Sequence, residues 1–153
     1  MSGLSSFVSS LHLLALGVGL GAVFMRGVYL RAELDEAGLR RVHMADNLWG
    51  VAAMLWIGSG LWRAFGGLEK GTAFYLANPM FHLKMGLFLL TLLLELWPMI
   101  TFLRQRFDLA KGRPIRPFNA PALRRINDLE VVVVVSMVFV ASAMARGLGM
   151  GAG

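Results

Sequence analysis

Four stretches of the chain stay apolar for twenty residues or more, and nothing else in it restricts the fold so severely. A hydrocarbon core ~30 Å thick is crossed by about 20 helical residues at ~1.5 Å each. The stretches at about residues 4–30, 45–65, 80–103 and 126–145 all reach that length. A chain that is 57% hydrophobic and 16% charged, with a mean hydropathy of +0.64, has too few polar side chains to cover a water-facing surface. Lipid is therefore part of its solvent. The expectation is an all-α membrane protein, a single domain over residues 1–153 built as a four-transmembrane-helix bundle.

Orientation follows from the basic residues. Arg26, Arg31, Arg40 and Arg41 border the first connection, and Arg104, Arg106, Lys111, Arg113, Arg116, Arg124 and Arg125 fill the third. Only Arg63, Lys70 and Arg146 fall on the other side, while Lys84 lies within a span. The positive-inside rule then places both termini outside the cytoplasm, on the periplasmic side in a bacterium. The net charge of +6 is accounted for by these loops, without a basic helix or RNA-binding motif, so nucleic acid is not an expected partner. The absence of cysteine removes thiolate metal sites and disulfides. Gly17 and Gly21 form a small-xxx-small pair suited to close helix approach, which makes a homo-oligomer plausible. Pro98 is expected to kink the third span, and the proline-rich stretch Arg113–Pro117 to cross between helices without being helical.

Charged side chains are costly in a bilayer, roughly 2.5–3.5 kcal/mol each at the centre, so those present are expected to face inward and to act. At ~100° per residue, His12, Gly19 and Arg26 share one face of the first helix. Trp49, Trp56, Gly60 and Arg63 line one stripe of the second, and Lys84, Thr91 and Glu95 one face of the third, with His82 pointing nearly opposite. Depth divides the polar residues into two levels. His12 and Lys84 belong to an outer level, and Arg26, Asp46, Glu95, Asn127, Asp128 and Glu130 to an inner one, where Arg26 pairs with Asp46, Asp128 or Glu130. A neutral imidazole among apolar helices either hydrogen-bonds a neighbouring helix or ligates haem iron, and Lys84 either serves the site or reaches to headgroups. The ten methionines are scattered and do not form a copper-binding pattern of close pairs.

Four short motifs in order add to this: the early His12, Arg26-x-x-Tyr29, Phe81-His82-Leu83-Lys84, and Arg125-Ile126-Asn127-Asp128. Their sequence resembles the HemJ-type protoporphyrinogen oxidases, and also a bacterial family of small predicted membrane proteins and the CopD copper-resistance membrane domain. The resemblance implies a haem b-binding protein of the bacterial cytoplasmic (inner) membrane, with His12 as axial ligand and Lys84 as second ligand or partner of the site. Gly19, Trp56 and Arg63 are then expected around the cofactor. It also implies an oxidoreductase acting on a porphyrinogen-like or quinone-like substrate. The chain departs from the oxidase pattern where Asp46 and Asp128 stand for glutamates and Phe81 for a tryptophan. The competing expectations are a copper, proton or small-solute transporter, and an accessory membrane subunit without haem.

Overall fold

A computed structural model describes residues 3–68 and 70–149. They form five α-helices: α1 (Gly3–Arg31), α2 (Glu36–Phe65), α3 (Thr72–Ala77), α4 (Pro79–Ala110) and α5 (Ala120–Ala145). The four long helices cover the four apolar stretches of the sequence. The fifth, α3, was not anticipated, because six residues are too few to show a periodicity.

Three of the long helices, α2, α4 and α5, begin ahead of their apolar stretches at a residue that caps them. Asp35 accepts a hydrogen bond from the Gly38 amide at 2.7 Å, which starts α2 nine residues before Ala45. Asn78 does the same for Met80 at 2.9 Å with Pro79 in the first turn, and Asn119 for Ala122 at 3.0 Å with Pro121 there. The helix α4 runs through Pro98 without a break. The connection from Lys111 to Asn119 is non-helical, as the prolines require, and Asp108 ties it down by accepting from Arg116.

The four long helices run up-down-up-down. One end of the bundle joins the start of α1, the end of α2, α3, the start of α4 and the end of α5; it is called here the α3 end. The core there contains Ala64, Tyr75 and Phe81. The middle is filled by Ala15, Trp49, Trp56, Val134 and Met137, and the opposite end by Leu30, Val42, Phe102 and Leu123. Leu14, Met54, Leu93 and Phe139 are between 58% and 72% exposed, so the apolar residues point outward as well as inward. A water-facing bundle does not present such a surface. Among the described residues three helices, α1, α4 and α5, are long and apolar enough to cross a membrane, against the four spans expected. Part of the polar content of α2, His43, Asp46 and Ser59, is turned into the bundle.

Glycine decides how closely α1 approaches its neighbours, though not at the expected positions. A Cβ at Gly17 or Gly21 would meet nothing within 4 Å, so that pair contacts no other helix of this chain. At Gly19 a Cβ would come 3.1 Å from the Trp49 ring, and at Gly27 2.5 Å from the Asn127 side chain. These two glycines are the ones that let α1 lie against α2 and α5.

Candidate functional site at the α3 end

The sequence places polar residues at two levels, and the structure builds both. His12 and Arg26 lie on the buried face of α1, separated by ~21 Å along the helix axis. Between the two levels stands the apolar layer of Trp49, Trp56, Val134 and Met137.

At the α3 end, His12 is 6% exposed and fixed against α2. Its Nδ1 lies 2.9 Å from Ser59 Oγ and 3.1 Å from the Trp56 carbonyl oxygen. The carbonyl can only accept, so the network assigns the hydrogen to Nδ1, which donates to both oxygens. The Ser59 hydroxyl in turn donates to the Leu55 carbonyl at 2.7 Å. In the neutral ring this leaves Nε2 as the nitrogen with a lone pair. The imidazole packs against the Trp56 ring with centroids 5.8 Å apart, and Gly60 makes room for it, since a Cβ there would stand 3.0 Å from His12 Cε1. Serine directly before glycine would otherwise be an unremarkable helical pair. Here the two hold one ring.

Two adjoining cavities open beside that ring. The larger, about 390 Å³, has His12, Arg63, Lys70, Tyr75 and Lys84 among its polar lining, with Trp56, Leu16, Phe74 and Met137 among its apolar walls. The smaller, about 70 Å³, is lined by His12, Gly60, Phe81, Lys84 and Phe88 among others. The larger volume lies in the range of roughly 300–1,000 Å³ typical of small-molecule sites. His12 and Lys84 thus line the same two cavities, as their depths on α1 and α4 imply. Trp56 joins them in both and Arg63 in the larger, while Gly19 lies deeper, against Trp49, and lines neither. His82 is turned away from this site, its Nε2 2.7 Å from the Leu76 carbonyl. Lys70 and the α3 residues Phe74 and Tyr75 were missed from sequence. Their connector is too short to carry a pattern.

The second level centres on Arg26, which is fully buried. Its Nε donates to Asn127 Oδ1 at 2.7 Å, Nη1 to Asp46 at 2.7 Å and Glu95 at 2.9 Å, and Nη2 to Glu95 at 3.0 Å and to Glu130. Five donors meet five acceptor contacts, so the guanidinium is saturated and joins all four long helices. Asp46 also accepts from Arg106 at 2.7 Å, Glu95 from the Trp49 indole at 3.3 Å, and the Asn127 amide donates to the Val23 carbonyl at 2.9 Å. Asp128 stands apart from this cluster. It is exposed and pairs with Arg31 at 2.5 Å, because α5 turns its next residue to the outside. Arg106 and Trp49 were not expected in the cluster; both fall where a loop-facing charge and a packing aromatic are the ordinary readings.

Chemically, the buried level is suited to holding helices together, and the α3-end chamber to holding a ligand. Among the described residues no group of three or more His, Cys, Asp or Glu is placed to hold a bare metal ion. The chamber offers one fixed imidazole, several cations and broad apolar walls. Neither a curated protein nor a solved structure matches the chain. Residues 4–149 match the family described as predicted membrane protein (DUF2214), so nearly the whole chain is one family unit. On that match the chain belongs to the DUF2214 family of predicted membrane proteins.

Proposed function

We propose that this membrane protein binds haem b in the α3-end chamber, with His12 as the axial ligand. The observation that carries the reading is the His12 ring. It is held through Nδ1 by Ser59 and the Trp56 carbonyl, packed into the space left by Gly60, and lines a cavity of about 390 Å³. Ligating histidines are characteristically anchored in this way through the nitrogen that does not bind the metal. Iron within a porphyrin needs only one or two protein ligands, so the want of a three-residue metal cluster does not count against it. Lys84 lines both cavities with His12 and serves as second ligand or as a charge beside the iron. Arg63 and Lys70 line the larger cavity and suit the carboxylates of a porphyrin.

All four long helices cross the bacterial inner membrane in this reading, and the positive-inside count puts the α3 end, with both termini, on the periplasmic side. Haem bound there supplies one-electron chemistry, and the likeness to HemJ-type oxidases suggests a porphyrinogen-like or quinone-like electron donor. The protein's own residues fix the ring and set the charge around the site. The apolar layer between the two polar levels favours a self-contained site over a path for protons or solutes through the bundle.

Purification from haem-replete cells tests the proposal. The wild-type protein shows a Soret band with about one haem per chain, His12→Ala loses it and His82→Ala keeps it. A colourless wild type overturns the proposal.

A further inference from the structure

The chamber's walls say where its ligand comes from. At the end opposite α3, α1 and α5 are locked together: Asn127 donates to the Val23 carbonyl at 2.9 Å, accepts from Arg26 at 2.7 Å, and stands where a Cβ on Gly27 would be 2.5 Å away. About 16 Å further along α5, at Val138, the same two helices have parted enough for the cavity of about 390 Å³ to have Leu13 and Leu16 of α1 and Val138, Ala141 and Ala145 of α5 in its walls. Leu13 is 64% exposed and Val138 is 38% exposed, so each borders the cavity and also faces the outer surface of the bundle. Side chains that do both mark the rim where the chamber comes nearest the outer surface. On two helices apolar enough to cross the membrane, that rim faces lipid.

We propose that the chamber opens sideways into the bilayer between α1 and α5 and admits a carboxylate-bearing amphiphile from the membrane. The apolar walls take its body, and the cations Arg63 and Lys70 receive its acidic group at the end nearest the headgroups. Lys70 is suited to the rim, being exposed and lying 4.5 Å over the Phe74 ring, so the turn before α3 holds its ammonium at the chamber. Porphyrin carboxylates and long-chain fatty acids share this chemistry. The inference rests on the same chamber as the haem reading but not on iron, and the two are tested separately.

The probe is stearic acid brominated along its chain, added to full-length protein reconstituted in phosphatidylcholine nanodiscs after haem-depleted expression, with folding checked by circular dichroism. Bromine quenches nearby indoles, and Trp56 lines the cavity. Trp62→Phe and Trp97→Phe remove the two lipid-exposed indoles from the signal. Saturable quenching is expected, weakened about tenfold by Lys70→Gln or Arg63→Gln, weakened also by Val138→Phe at the rim, and absent with the brominated alcohol of the same chain. Lys70 is exposed, so its variant folds even if Arg63→Gln does not. Quenching that is equal for acid and alcohol, or unmoved by Lys70→Gln and Val138→Phe, reflects annular lipid alone and overturns the proposal. A Soret band without charge-dependent quenching leaves the haem reading standing and sinks this one; quenching in a protein that never binds haem does the reverse.

Discussion

Arg26→Met removes one side chain and breaks five contacts at once, because every donor of the guanidinium is engaged. What remains is more damaging than what is lost. The acids Asp46, Glu95 and Glu130 would stay in the bundle interior without the guanidinium they share, next to Arg106 and the Trp49 indole. Taking one partner from a buried ion pair costs about 3–5 kcal/mol, and this substitution sits at the upper end of that range since three acids share the partner. Arg26→Lys keeps the charge but offers three donors for five contacts, so an intermediate loss of about 2–3 kcal/mol is expected. Reversible unfolding in mixed micelles titrated with SDS measures both. A double-mutant cycle with Glu130→Gln should give a coupling of about 1–3 kcal/mol, since the two side chains are in direct contact. If Arg26→Met unfolds within about 1 kcal/mol of wild type, the cluster is not what holds the four helices together.

Other expectations separate the two levels. Asp128→Asn should change stability by no more than about 1 kcal/mol in the same titration, because its pair with Arg31 is exposed on both sides. Gly27→Ala should cost about 1–3 kcal/mol, as its Cβ would drive Asn127 away from Arg26. Gly60→Val pushes the added atoms at the His12 ring and should lower haem occupancy, read from the Soret absorbance, while circular dichroism shows the helices intact. Ser59→Ala removes the shorter of the two Nδ1 contacts that hold the His12 ring to α2, and should weaken haem affinity about 10–100-fold in a hemin titration.

Much of this was legible in residue order, for a physical reason. A charge in lipid is expensive, so His12, Arg26, Asp46, Glu95, Asn127 and Glu130 all had to turn inward, and helical spacing alone says which of them share a face. That logic fails at helix ends, where water relaxes the cost. Asp128 is expected among the acids that pair with Arg26, yet it pairs outside with Arg31; Arg106 reads as a loop cation, yet its guanidinium reaches back to Asp46. The glycines misled in the same way. Gly17 and Gly21 fit a packing motif but contact no other helix of the chain, whereas Gly19 and Gly27 carry the close approach, and only the neighbouring Trp49 and Asn127 reveal it. Gly19 therefore shapes the helix contact below the chamber rather than the chamber. The connector holding Lys70 and α3 was opaque, since a six-residue helix has no period to read. So were the cap residues Asp35, Asn78 and Asn119, which carry the long helices beyond their apolar runs.

Chemical rescue distinguishes ligation of haem iron by the His12 imidazole from a merely structural role of that ring. In His12→Gly the ring is deleted and a space of its own shape is left beside Gly60 and Trp56. His12→Gly should be colourless and should regain the wild-type Soret and visible bands when free imidazole is supplied with hemin. A His12→Gly protein that carries haem with an unchanged spectrum before any imidazole is added would contradict ligation by His12.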